Sequence, residues 1–123
     1  MAGEKYEAAL KIKPDDHEVF NEWGIALAVQ ARTKTGKEAD RLLTLASEKY
    51  QAALKIRPDK HEVLHNWGLA LEAQAQTKKG KHAKQLRELA GEKLSAARAI
   101  APHLYPVDDR NQEAESQAPS IRN

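Results

Sequence analysis

Cysteine is absent from the 123 residues, which excludes disulfide staples and thiolate chemistry and gives no sign of an oxidising compartment. Aromatic residues are scarce at 5%, with a single Phe, so Ala and Leu must supply most of any buried surface. No segment approaches the ~18 consecutive apolar residues of a membrane-spanning helix. The opening Met1-Ala-Gly-Glu-Lys5 also lacks the apolar run of a signal peptide. A soluble, cytoplasmic protein is therefore the default expectation. The net charge of +2 is too small to argue for nucleic acid by itself. Neither a nucleophile elbow nor a phosphate-binding glycine loop occurs, so the chain offers no catalytic constellation and no cofactor site.

What is present is repetition. The segment 59–102 restates 15–58 at an offset of 44, with 24 of 44 positions identical. Trp23 returns as Trp67, Gly36 as Gly80 and Pro58 as Pro102. A partial third copy opens the chain, where Gly3–Pro14 matches Ser47–Pro58 at 9 of 12 positions. A fixed period of this length is the signature of stacked repeats, each of which buries its apolar face only against a neighbour. The charged fraction of 31% and mean hydropathy of −0.74 suit thin helix-on-helix packing better than a large globular core. The chain opens partway through a unit, as a piece cut from a longer array would.

Within each unit the apolar spacing is helical. Val19, Phe20, Trp23, Leu27 and Ala31 recur as Val63, Leu64, Trp67, Leu71 and Ala75, which predicts a first amphipathic helix. Asp15/Glu18 and Asp59/Glu62 have the spacing of a capping box at its start. Its end falls near Thr33–Lys34 and Thr77–Lys78, with Gly36 or Gly80 as the left-handed residue that closes it. A second helical run through Leu42, Ala46, Tyr50, Ala53 and Ile56, or Leu86, Ala90, Leu94, Ala97 and Ile100, stops before Pro58 or Pro102. No strand pattern appears. The expected organisation is a helix at 2–12, repeats at 15–58 and 59–102 within a domain of 2–104, and a polar tail at 105–123, disordered from 108 onward.

These units resemble the tetratricopeptide repeat family, whose usual period is about 34 residues. The matching positions are Phe20, Trp23-Gly24 and Leu27, with Leu64, Trp67-Gly68 and Leu71. On the second helix they are Ala46, Tyr50, Ala53 and Pro58, with Ala90, Leu94, Ala97 and Pro102. The resemblance covers residues 2–102. It implies an all-α fold, a right-handed α-solenoid of antiparallel helix pairs with about two and a half repeats. It also implies a non-catalytic scaffold whose concave groove takes a peptide or helix from another protein. Family geometry places Asn21, Ile25, Ala28, Val29, His65, Leu69, Glu72 and Ala73 on that inner face, while Trp23, Gly24, Trp67 and Gly68 serve packing. The Lys and Asn clamp of the chaperone-tail binders is missing. Ala90 follows Gly68 by 22 positions, ten more than the roughly 12 of a 34-residue unit. Shared between the two helices, five residues each lengthen a helix by about 7.5 Å.

Three stretches invite a sharper reading, and each has a plainer one. His61-Glu-Val-Leu-His65 matches the H-E-x-x-H zinc signature, but its copy His17-Glu-Val-Phe-Asn21 lacks the second ligand, so no metal is assigned. Trp23 and Trp67 read as buried packing rather than stacking platforms. The basic run Lys78–Arg87 could attract phosphate, nucleic acid or an anionic membrane surface. It has no interleaved aromatics for base stacking, and it reads as a solvated turn. The alternative to the scaffold is self-assembly: without an evident polar cap after Pro102, residues 83–100 and 2–12 would stack head to tail into a homo-oligomer.

Overall fold

A computed structural model describes residues 2–106. Among these residues the chain forms five helices: α1 (Ala2–Ile12), α2 (His17–Ala31), α3 (Gly36–Ile56), α4 (His61–Ala75) and α5 (Gly80–Ile100). They pack in chain order as an α-solenoid. α2 lies against α3 and α4 against α5, while α3 also packs on α4 and joins the two pairs. The expectation of a disordered segment at 108–123 falls outside the described residues.

The start of each pair sits one residue later than the capping boxes imply. Asp16, with extended backbone at φ −83° and ψ 96°, caps α2; its carboxylate accepts from the backbone N–H of Glu18 and Val19. Asp15 stands outside the helix, in the turn that follows Pro14. In the second pair the equivalent N-cap is Lys60, which supplies no side-chain bond, so α4 starts without the usual carboxylate cap. The glycines also differ from expectation. α2 and α4 tighten into turns at Arg32–Lys34 and Gln76–Lys78 through bonds to the carbonyls three residues back. Gly36 and Gly80 then open α3 and α5 at φ +55° and +59°, a backbone region that costs a side chain about 1–2 kcal/mol.

The two helices of a pair are unequal, with 15 residues in α2 and α4 but 21 in α3 and α5. Their relative placement follows from the closest approach, where Gly24 faces the Tyr50 ring and Gly68 faces Leu94. From that level α3 runs 14 residues back to Gly36, about 21 Å. α2 runs only 7 residues to Ala31, about 10 Å, before its turn. The extra length is therefore not shared evenly. It makes the N-terminal ends of α3 and α5 project beyond their partners at one edge of the molecule.

The core is narrow and rich in alanine. Ala46, Ala53, Ala90 and Ala97 are fully buried, Tyr50 is 1% exposed and Val63 is fully buried. Small side chains at these crossings let the backbones approach closely. The tryptophans are half-buried rather than enclosed. Trp23 stacks on Tyr6 with ring centroids 5.8 Å apart, and its ring carries the Lys49 ammonium 3.8 Å from its centroid. Lys93 stands 4.5 Å from the Trp67 centroid in the same way. In both pairs the charged end of the lysine faces the indole π-cloud, a cation–π contact.

The self-assembly alternative takes the exposed faces of 2–12 and 83–100 to be complementary in kind, like successive units of one array, but α5 does not repeat the face that α3 presents. On α3 the positions Leu43, Ser47, Tyr50 and Leu54 share one helical face, and the first three are buried. The 44-residue equivalents on α5 are Arg87, Gly91, Leu94 and Arg98, of which Arg87 and Gly91 are exposed. α5 thus carries charge where α3 carries the apolar side chains that receive the next pair.

Candidate functional site

The inner wall is built by α2 and α4, which run side by side. Asn66 on α4 donates to the Asn21 side chain on α2 (3.2 Å), fixing their lateral register. Above the buried row, three aliphatic side chains stay in water: Ile25 at 38% exposure, Val29 at 49% and Leu69 at 45%. Ile25 and Val29 are one turn apart on α2, and Leu69, the repeat of Ile25, continues the stripe across α4. Five of the eight residues expected on the concave face, Ile25, Ala28, Val29, Leu69 and Ala73, line one cleft of about 120 Å³. Its floor is made by Leu43, Tyr50 and Ala70. A wider hollow of about 320 Å³ adjoins it toward the turns, where Ala28 and Ala73 meet Arg32 and Gln76.

The other three expected residues are placed differently. Asn21 is engaged by Asn66. His65 and Glu72 line a second cleft of about 490 Å³, which shares only Leu69 with the first. Its far wall comes from Leu94 and Arg98 on α5 and from the segment after Pro102. That segment folds back onto α4. The Tyr105 ring stacks on His65 at 4.4 Å and 20°, and its hydroxyl shares a 2.8 Å hydrogen bond with His61 Nδ1. The two histidines of the zinc-like pattern therefore serve together as the seat of one tyrosine. Packing over His65 pushes its pKa below the ordinary imidazole value, opposed by the Glu72 charge. Arg98 brings a buried Nε with no hydrogen-bond partner to this cleft.

The lower end of the wall is locked by polar contacts. Gln74 on α4 donates to Asp40 on α3 (2.8 Å) and to the Thr44 hydroxyl (3.0 Å), and Lys78 reaches the other Asp40 oxygen at 3.1 Å. The Gln74 bond is the main cause that holds the Asp40 pKa below its usual value, with Lys78 adding to it against the cost of burial. Sequence periodicity points to the inner face but not to Tyr105, Leu104 or Arg98. Tyr105 and Leu104 follow the last repeat, and Arg98 stands where the first repeat has Leu54.

The fold and the open groove define a helical-repeat protein with an exposed, partly apolar inner wall. Its family is narrower than that class. Residues 2–121 match the family model described as plant-specific mitochondrial import receptor subunit TOM20, and the chain belongs to that family. No curated protein matches it. The family description does not name tetratricopeptide repeats, so the supported likeness is to a helical-repeat import receptor. The cytoplasmic expectation gives way with it, because the family is mitochondrial. No helix among the described residues is long and apolar enough to cross a membrane.

Proposed function

We propose that this chain is the polypeptide-binding part of a mitochondrial import receptor and that it holds a targeting segment in the groove between α2 and α4. The observation that carries the reading is the aliphatic stripe Ile25, Val29 and Leu69, three half-exposed large apolar side chains gathered in one cleft. Mitochondrial targeting segments are amphipathic, rich in arginine and poor in acids. An amphipathic helix laid in a groove offers apolar side chains at i, i+3 and i+4 spacing to such a stripe. Glu18, Glu62 and Glu72 stay exposed on α2 and α4, where they suit the basic flank of the ligand. The Tyr105 seat lies beyond Leu69, in the neighbouring cleft on the α5 side.

Covering three half-exposed aliphatic side chains is worth about 1 kcal/mol each, so the stripe supplies the difference between weak and useful binding. Ile25→Asp with Leu69→Asp replaces two of the three, and a buried carboxylate there adds a desolvation cost. Titration calorimetry with a basic amphipathic targeting peptide is expected to show at least ~10-fold weaker binding for the double variant, with unchanged helicity. Equal affinity would remove the groove from the function.

A further inference from the structure

The projecting ends of α3 and α5 lie next to each other, because Lys78 in the α4–α5 turn bonds Asp40 in the second turn of α3. Residues 32–41 and 74–87 therefore form one edge of the molecule. That edge carries nine Lys or Arg side chains and two carboxylates. Both carboxylates are occupied internally, Glu38 by Arg41 (2.8 Å) and Asp40 by Lys78 (3.1 Å). Lys34, Lys37, Lys79, Lys81, Lys84 and Arg87 are all exposed, and none makes an ion pair or side-chain hydrogen bond among the described residues. At the opposite edge, residues 11–18 and 55–62 carry five basic and five acidic side chains. A net charge of only +2 thus hides a strongly one-sided distribution, set at the tips that the long helices push outward.

We infer that this edge is a docking surface for an anionic lipid bilayer. A group of 4–8 lysines and arginines on a convex face is what the negative potential of a lipid surface attracts. The edge has no aromatic side chain for stacking bases. Two tips with turns between them make a ridge, which meets a plane more readily than it encloses a strand. Docking on the tips sets the helix axes upright on the bilayer and leaves the groove between α2 and α4 open to the side. The charges act within a Debye length of about 10 Å, which takes in Lys37, Lys79, Lys81 and Lys84 before Arg87, about 10 Å further along α5 from Gly80. The inference is independent of what the groove holds.

The test is flotation of the full chain with vesicles of phosphatidylcholine alone and with about 30 mol% phosphatidylserine. Binding is expected to the anionic vesicles only and to fall as salt rises. Each basic side chain in the patch is worth on the order of fivefold in partitioning. Lys37→Gln, Lys79→Gln, Lys81→Gln and Lys84→Gln together should lower binding about 100-fold after allowance for screening. Lys5→Gln, Lys11→Gln, Lys13→Gln and Lys55→Gln, which have the same net charge and spare the tips, should lower it less than ~10-fold. Equal losses from the two sets would overturn the inference by making net charge the cause. Binding to neutral vesicles, or tighter capture by a single-stranded RNA oligonucleotide than by anionic vesicles at the same salt, would overturn it as well. Circular dichroism of both variants confirms that the tips are altered without loss of the helices.

Discussion

One glycine substitution, made at two places, should change stability in opposite directions. In Gly24→Ala the new Cβ would stand 2.5 Å from Tyr50 Cε1 and 2.8 Å from Cδ1. Non-bonded carbons settle at about 3.5–4.0 Å, so the ring or the whole of α3 must withdraw by about 1 Å. Tyr50 is 1% exposed and packed on every side, so no rotamer change relieves the overlap, and overpacking costs typically about 1–3 kcal/mol. Here the upper part of that range applies. The better helix propensity of alanine returns about 1 kcal/mol, which leaves a net loss of about 1–2 kcal/mol. In Gly91→Ala nothing lies within 4 Å of the new Cβ, so the propensity gain of about 1 kcal/mol stands alone. For a domain of this size 1 kcal/mol moves Tm by roughly 4–8 °C. Thermal unfolding followed at 222 nm should thus lower Tm for Gly24→Ala and raise it for Gly91→Ala. A shift of the same sign in both would refute the close approach of α2 to α3 as the element that sets the register of the first pair.

Further outcomes follow from the contacts around the groove. Gly36→Ala and Gly80→Ala have open space but positive φ, so each should cost about 1–2 kcal/mol in urea unfolding. Gln74→Ala removes the amide that bonds both Asp40 and Thr44, and a loss of about 1 kcal/mol is expected in the same assay. The lowered pKa of His65 means that the unfolded chain takes up its proton first as pH falls. Stability should therefore be fully present above the unfolded value near 6.5 and should decline below it, until the folded state also binds the proton. His65→Asn should flatten that part of the Tm–pH profile, and Tyr105→Ala should reduce it by uncovering the ring.

Much of the fold is legible because the chain is compared with itself. The 44-residue offset aligns every helix with its copy, and the prolines at 14, 58 and 102 mark where each second helix stops. Self-comparison also misleads. The tandem Asp15-Asp16 holds two candidate caps, and only the first recurs, as Asp59, so similarity favours the residue that does not cap. Thr-Lys-x-Gly reads equally as the end of one helix or the start of the next, and only the helix bounds, with α2 ending at Ala31 and α3 opening at Gly36, assign the glycine to the second. That assignment is what turns shared length into projecting tips. The aliphatic inner face follows from repeat geometry, whereas Tyr105 has no copy and no period, so its seat on His61 and His65 exists only in three dimensions.

The groove itself is best tested by residue-resolved titration. A ¹⁵N-labelled sample of the 123-residue chain, titrated with a basic amphipathic targeting peptide and followed by amide chemical shifts, should show the largest changes at Ile25, Ala28, Val29, Leu69 and Ala73. A second, smaller set is expected at His65 and Tyr105, and the outward face of α5 at Arg87 and Gly91 should stay unmoved. Changes confined to α5 or to the basic tips, or none at concentrations that saturate the peptide's helix, would contradict binding between α2 and α4.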